Sequence, residues 1–143
     1  MNDGDVNCRF LQIWIQPDKK GVTPQYGSRK HGPEERHNRW LHLLGGTGTV
    51  PQWEDMSTPS EIALHQDCNV MVSERDPSEA HEINLGAGRR MYLVCIEGGM
   101  TLNGDTELQA RDAVEIVSPE NETRLKFKAG ENGMHILAIE MAS

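Results

Sequence analysis

The chain has no run approaching the roughly 20 apolar residues that a spanning helix needs, and no apolar stretch follows a basic start. No membrane partner is therefore expected, and the expected location is the cytoplasm. Positive charge is in deficit: 14 Lys and Arg stand against 22 Asp and Glu, a net charge of −8, with no basic stripe. That balance favours solubility and argues against nucleic acid as a partner. Cysteine is scarce. Cys8, Cys68 and Cys95 are odd in number, far apart and without a CxxC pair, which excludes a disulfide framework and a zinc knuckle. There is no G-x-S-x-G elbow, and the glycines at 45, 46 and 48 lack the Lys-Ser/Thr and following helix of a phosphate loop. That cluster reads as a turn.

What is present is short alternating segments punctuated by Gly, Pro and Asn. The 143 residues, 36% apolar with Gly 14 and Pro 7, have room for one domain with a single core. Residues 1–9 are polar and read as a flexible start. Residues 10–16 alternate, with Leu11, Ile13 and Ile15 on one side and Phe10, Gln12, Trp14 and Gln16 on the other, which predicts a strand ended by Pro17. Further strands are predicted at 40–44, 62–65, 69–72, 79–85, 90–97, 100–102, 106–108, 113–117, 123–128 and 134–141, with loops over 27–39 and 49–60. Asn103-Gly104 is a strong hairpin signal. Turns are predicted at Gly98-Gly99 and at 130–133, and no helix of ordinary length fits. Many short strands at regular spacing make an all-β sandwich or barrel. Cys95, inside the apolar run of residues 91–96, reads as a buried, inert thiol.

One passage sharpens that class. Residues 10–26, FLQIWIQPDKKGVTPQY, resemble the segment joining the two halves of pirin-like proteins, two-domain cupins that include quercetin 2,3-dioxygenases. LVCIEGG at 93–99 resembles the strand and turn ending the first cupin motif. LQARDAVEI at 108–116 resembles the LxxGD pattern of the second, with Arg111 in the glycine's place. The resemblance covers roughly residues 9–141. It implies a cupin-type jelly-roll β-barrel (a double-stranded β-helix), a single domain over 10–143, and the second half of such a protein with the first half absent. In the family the first cupin carries a divalent transition metal such as iron, and the second generally carries none.

The metal motifs bear on function. Counting back from Gly98, the resemblance puts the glutamate ligand at Met91 and the histidine pair at Asn84/Gly86 or Leu85/Ala87; the second motif's histidine region holds Arg124, Leu125, Lys126 and Phe127. None is a normal ligand, so no cofactor is expected. The remaining imidazoles allow one regrouped candidate metal set, His65, His81 and His135 with Glu82. Trp40 and Tyr92 are candidates to line a pocket. The expected function is a non-catalytic, metal-free scaffold or binding cupin that self-associates through an arm bearing Phe10, Leu11, Ile13, Trp14 and Ile15, as a homodimer or with a separately encoded first cupin. The alternative is a metal-dependent, quercetinase-like dioxygenase or small-molecule sensor using a rearranged site in the barrel.

Overall fold

A computed structural model describes residues 4–143; Met1, Asn2 and Asp3, part of the start expected to be flexible, lie outside the described residues. Apart from a 3-10 turn at Pro33–Glu35, the regular elements are strands: β1 Leu41–Gly45, β2 Cys68–Arg75, β3 Ala80–Leu85, β4 Arg89–Leu102, β5 Thr106–Gln109, β6 Ala113–Ser118 and β7 Thr123–Ala142. All pairings between them are antiparallel.

β4 and β7 organise the barrel. They pair along nearly their whole lengths, and each contributes one half to each of two leaves. In the first leaf, Arg89 to Val94 of β4 pair with β6, and Met134 to Met141 of β7 pair with β2, which carries β1 at its outer edge. In the second, Gly99 to Leu102 of β4 pair with β5, and Thr123 to Lys128 of β7 pair with β3. Met71, Met91, Leu93 and Ile136 from the first leaf pack with Ile83, Leu85, Leu125 and Phe127 from the second in one apolar core. This is the two-leaved cupin jelly roll that the alternation and the resemblance imply.

The glycines expected to end strands instead bend them. β4 runs through Gly98-Gly99 and β7 through 130–133, with register slips in the β4–β7 ladder between Cys95 and Glu97 and between Gly98 and Met100. Both strands keep their partner across the bend, so the ladder is bulged rather than broken. Gly98 has φ +73°, and a Cβ there would lie 2.2 Å from the Gly133 carbonyl oxygen. The hairpin after β4 forms as expected, with left-handed Asn103 (φ 54°) and Gly104 (φ 83°).

Two predicted strands are absent. Residues 62–65 make one isolated parallel bridge, Ala63 to Gly45. Residues 10–16 lie in no strand. Alternation gives a strand its facing, but a ladder needs a neighbour. The backbone bonds of this arm come at its end, where Gln66 Nε2 donates to the Gln16 carbonyl (2.9 Å) and the Asp18 N–H to the His65 carbonyl (2.7 Å).

Candidate functional site

The barrel interior is the place to look for chemistry in this fold, and here it is packed with side chains. Met91 and Leu85, two of the motif positions, are fully buried in the core, and Leu125 and Phe127 fill the second motif's region from β7. Asn84 points to solvent, and Gly86 and Ala87 belong to the turn before β4. These residues offer no imidazole or carboxylate to a metal, so the donor set does not fit the family's group.

One end of the interior is an aromatic cluster. Trp40 packs on Trp53 (5.1 Å between centroids) and edge-on to Phe127 (6.2 Å), and His81 stacks on Phe127 at 4.8 Å and 14°. His81 shares the inward side of β3 with Ile83 and Leu85. Its two ring nitrogens, like Trp40 Nε1, are buried without a partner. Burial, with a smaller contribution from the Arg75 cation, pushes the imidazole down to about 3, so it is neutral at physiological pH.

The regrouped metal set does not come together. Glu82, next to His81 in sequence, points to the other side of β3 and pairs with Arg124 and Lys126 (3.6 Å). His135 sits in the first leaf between Glu74 and Glu97, its Nδ1 3.4 Å from Glu74, and burial lowers its pKa. His65 holds the arm through its backbone carbonyl. Among the described residues no group of three or more His, Cys, Asp or Glu is disposed to hold a metal ion. Nor do Trp40 and Tyr92 share a pocket: Trp40 is buried in the core, whereas Tyr92, flanked on β4 by inward-facing Met91 and Leu93, turns outward and is 45% exposed. Cys68 and Cys95 are buried, and burial raises both thiols, while Cys8 is exposed.

A polar network that the sequence reading missed closes the other end of the first leaf. The Ser60 N–H donates to His42 Nδ1 (2.8 Å), which leaves the proton on Nε2 to be donated to Asn69 Oδ1 (3.1 Å). Asn69 Nδ2 donates in turn to the Thr49 carbonyl (3.1 Å) and to Glu140 (2.9 Å). Arg89 grips Glu140 through Nε and Nη2 and both oxygens of Asp67 through Nη1 at 2.8 Å. Glu140 first, then Asp67, raises the Arg89 pKa and holds it charged. Position parity was the available signal: Glu140 falls in step with inward Met134, Ile136 and Ala138, and Asn69 with Met71. Asp67, Arg89 and Glu140, with Glu82, Asn84 and Arg124, help line an open cleft of about 1010 Å³. Because the network's carboxylates and guanidinium already bond to one another, its chemistry is that of a staple.

The arm is the remaining feature. Arg9 pairs with Glu97 at one end and Gln16 with Gln66 at the other. Between them, Phe10 is 78% exposed, Leu11 53%, Ile13 39% and Trp14 87%.

Comparison with known proteins agrees with this geometry. The profile of the family described as the quercetinase C-terminal cupin domain matches residues 55–141. A Pseudomonas aeruginosa protein provisionally named a quercetin 2,3-dioxygenase is 31% identical over 134 residues, 94% of this chain and 52% of that protein. A pirin-like protein of Caulobacter vibrioides is 28% identical over 108 residues, 76% of this chain and 43% of that one. The crystal structure of the Escherichia coli pirin YhhW in complex with nickel(II) superposes with a TM-score of 0.70 at 19% identity, over 90% of this chain and 48% of that chain. The chain thus spans about half the length of the relatives it matches. A bent two-leaved barrel, a family profile across most of it and relatives aligned along both leaves lead to one conclusion: the chain belongs to the quercetinase C-terminal cupin family of pirin-like proteins.

Proposed function

We propose that this chain is a non-catalytic cupin that acts as a scaffold or binding module, without a metal in its barrel, and that it self-associates through its arm. The observation that carries the reading is the exposure of Phe10, Leu11, Ile13 and Trp14 on a segment held at both ends. A tail left to solvent would not be pinned twice, and side chains this apolar gain free energy from any cover. Together they present on the order of 500 Å² of apolar surface, taking about 150–250 Å² for a large aromatic. Twofold pairing buries that area on both copies, close to the roughly 1,000 Å² at which specific interfaces begin. The packed motif positions support the metal-free part of the reading, since apolar Met91, Leu85, Leu125 and Phe127 stand where the resemblance puts ligands.

Two measurements on one sample test it. Light scattering on a sizing column is expected to give twice the chain mass, and a monodisperse monomer overturns self-association. Mass spectrometry of gently purified protein is expected to find metal far below one equivalent. Near-stoichiometric iron, nickel, copper or manganese would instead favour a dioxygenase or sensor working through a site in the barrel.

A further inference from the structure

Away from the barrel interior and the arm, two arginines line one surface pocket of a chain whose net charge is −8. The pocket, of about 220 Å³ beside β1, is lined by Arg29, His31, Glu35 and Arg39 together with Ser57, Thr58 and Ser60. We propose that this pocket binds a tetrahedral oxyanion, phosphate or the phosphate end of a phosphomonoester.

The hydroxyl side is held in place by β1. The Ser57 N–H donates to the Trp40 carbonyl (2.8 Å), and the His42 N–H donates to Ser57 Oγ (3.0 Å). His42 Nδ1 accepts the Ser60 N–H, so the buried imidazole that anchors the polar network also fixes the loop at 57–60. Ser60 Oγ accepts from the Ile62 N–H (3.1 Å), which leaves its own proton to donate into the pocket, and the Thr58 hydroxyl has no partner among the described residues. Two hydroxyl protons are therefore free to be donated to a ligand.

On the cationic side one guanidinium is shared with an acid and one is not. Arg39 has no acidic partner among the described residues, and Arg29 reaches Glu35 at 3.5 Å. Glu35, the acid of this pocket, is already engaged: it accepts from His31 Nδ1 (3.0 Å) and the Gly32 N–H (2.8 Å). Two arginines and two hydroxyl residues line the same pocket, and guanidinium groups give the planar, paired donation that phosphate oxygens accept best. At about 30 Å³ per water, the volume corresponds to about seven waters, room for one such anion and a small substituent.

The test is a titration of the full-length chain, labelled with nitrogen-15, with inorganic phosphate at constant ionic strength. Saturable amide shifts are expected at 57–60 and at 29–39. The R29Q/R39Q double variant is expected to bind at least tenfold more weakly, while R124Q, on another face, binds as the parent does. The amide spectrum reports in the same experiment that each variant is folded. Shifts that do not saturate, that sodium chloride reproduces, or that persist unweakened in R29Q/R39Q overturn the proposal, as does an equal loss in R124Q. Methyl phosphate in place of phosphate separates the two sources: tighter binding identifies a monoester ligand, and equal or weaker binding identifies the free ion.

Discussion

Asn69 and Glu140 face each other across β2 and β7, both turned into the barrel, and are joined by a 2.9 Å hydrogen bond. His42 and the Thr49 carbonyl hold the rest of the Asn69 amide, and Arg89 neutralises the carboxylate. Removing the acid alone leaves Arg89 with Asp67 as its remaining anion and Asn69 short of an acceptor. Glu140→Ala is expected to destabilise the chain by about 3 kcal/mol, the usual cost of breaking a buried pair from one side. Glu140→Gln, which keeps an acceptor oxygen, costs less. Urea unfolding at pH 7 measures both, and an unfolding midpoint for Glu140→Ala equal to the parent's would show the network to be dispensable.

The His81 imidazole makes stability depend on acid in a defined direction. Folded, it titrates at about 3; unfolded, near 6.5, so the unfolded chain holds the extra proton between those values. Stability is therefore full above about pH 6.5 and falls as the pH drops toward 3, by up to about 1.4 kcal/mol per unit. His135, also lowered by burial, adds to the same trend. His81→Phe keeps an aromatic against Phe127 and Trp40 and is expected to flatten the slope by close to one proton. Urea midpoints at pH 7, 6 and 5 measure this, and a parallel slope in the variant contradicts it.

Arg111 stands at φ +80° in the turn between β5 and β6, where a side chain is strained. The turn is fixed around it: the Arg111 N–H donates to the Cys95 carbonyl (2.6 Å), and Asp112 accepts the Gln109 N–H (2.9 Å). Arg111→Gly is expected to stabilise the chain by about 1 kcal/mol, relief of strain outweighing the added freedom of the unfolded state. Calorimetry should record a rise in Tm of several degrees.

Gly98→Ala tests the bend in β4. A methyl group there meets the Gly133 carbonyl oxygen at 2.2 Å on a backbone that already disfavours side chains. A loss of about 3 kcal/mol or more is expected, enough to reduce soluble yield. Gly104→Ala has the same φ penalty but meets nothing within 4 Å, so it isolates the conformational part.

The double variant F10S/W14S separates arm from barrel. Both side chains are mostly exposed and lie outside the core, so the unfolding free energy of a dilute sample is expected to stay within about 0.5 kcal/mol of the parent's. At higher concentration the dimer mass expected of the parent under the proposed self-association should be absent from the variant.

The strands were legible where local chemistry decides them. The apolar run that opens β4, the Asn103-Gly104 hairpin and the strict alternation of residues 123–128 each carry their geometry in adjacent residues. What was not legible depends on partners distant in sequence. Residues 10–16 alternate like a strand, yet no neighbour offers them a ladder. Gly98 and Gly133 look like strand ends until their packing against one another is known. The His42–Asn69–Glu140 chain joins residues up to 98 positions apart, and only the parity of Asn69 and Glu140 hinted at it. Residue type alone does not say whether Trp40 or Tyr92 faces inward.

The bent strands β4 and β7 have a consequence for cooperativity. Because half of each belongs to either leaf, neither leaf can open while the other stays folded: separating one strips both of its central strands. The barrel is therefore one folding unit. Its slowest-exchanging amides are expected along β4 and β7 on both sides of the bends, all opening with the free energy of global unfolding.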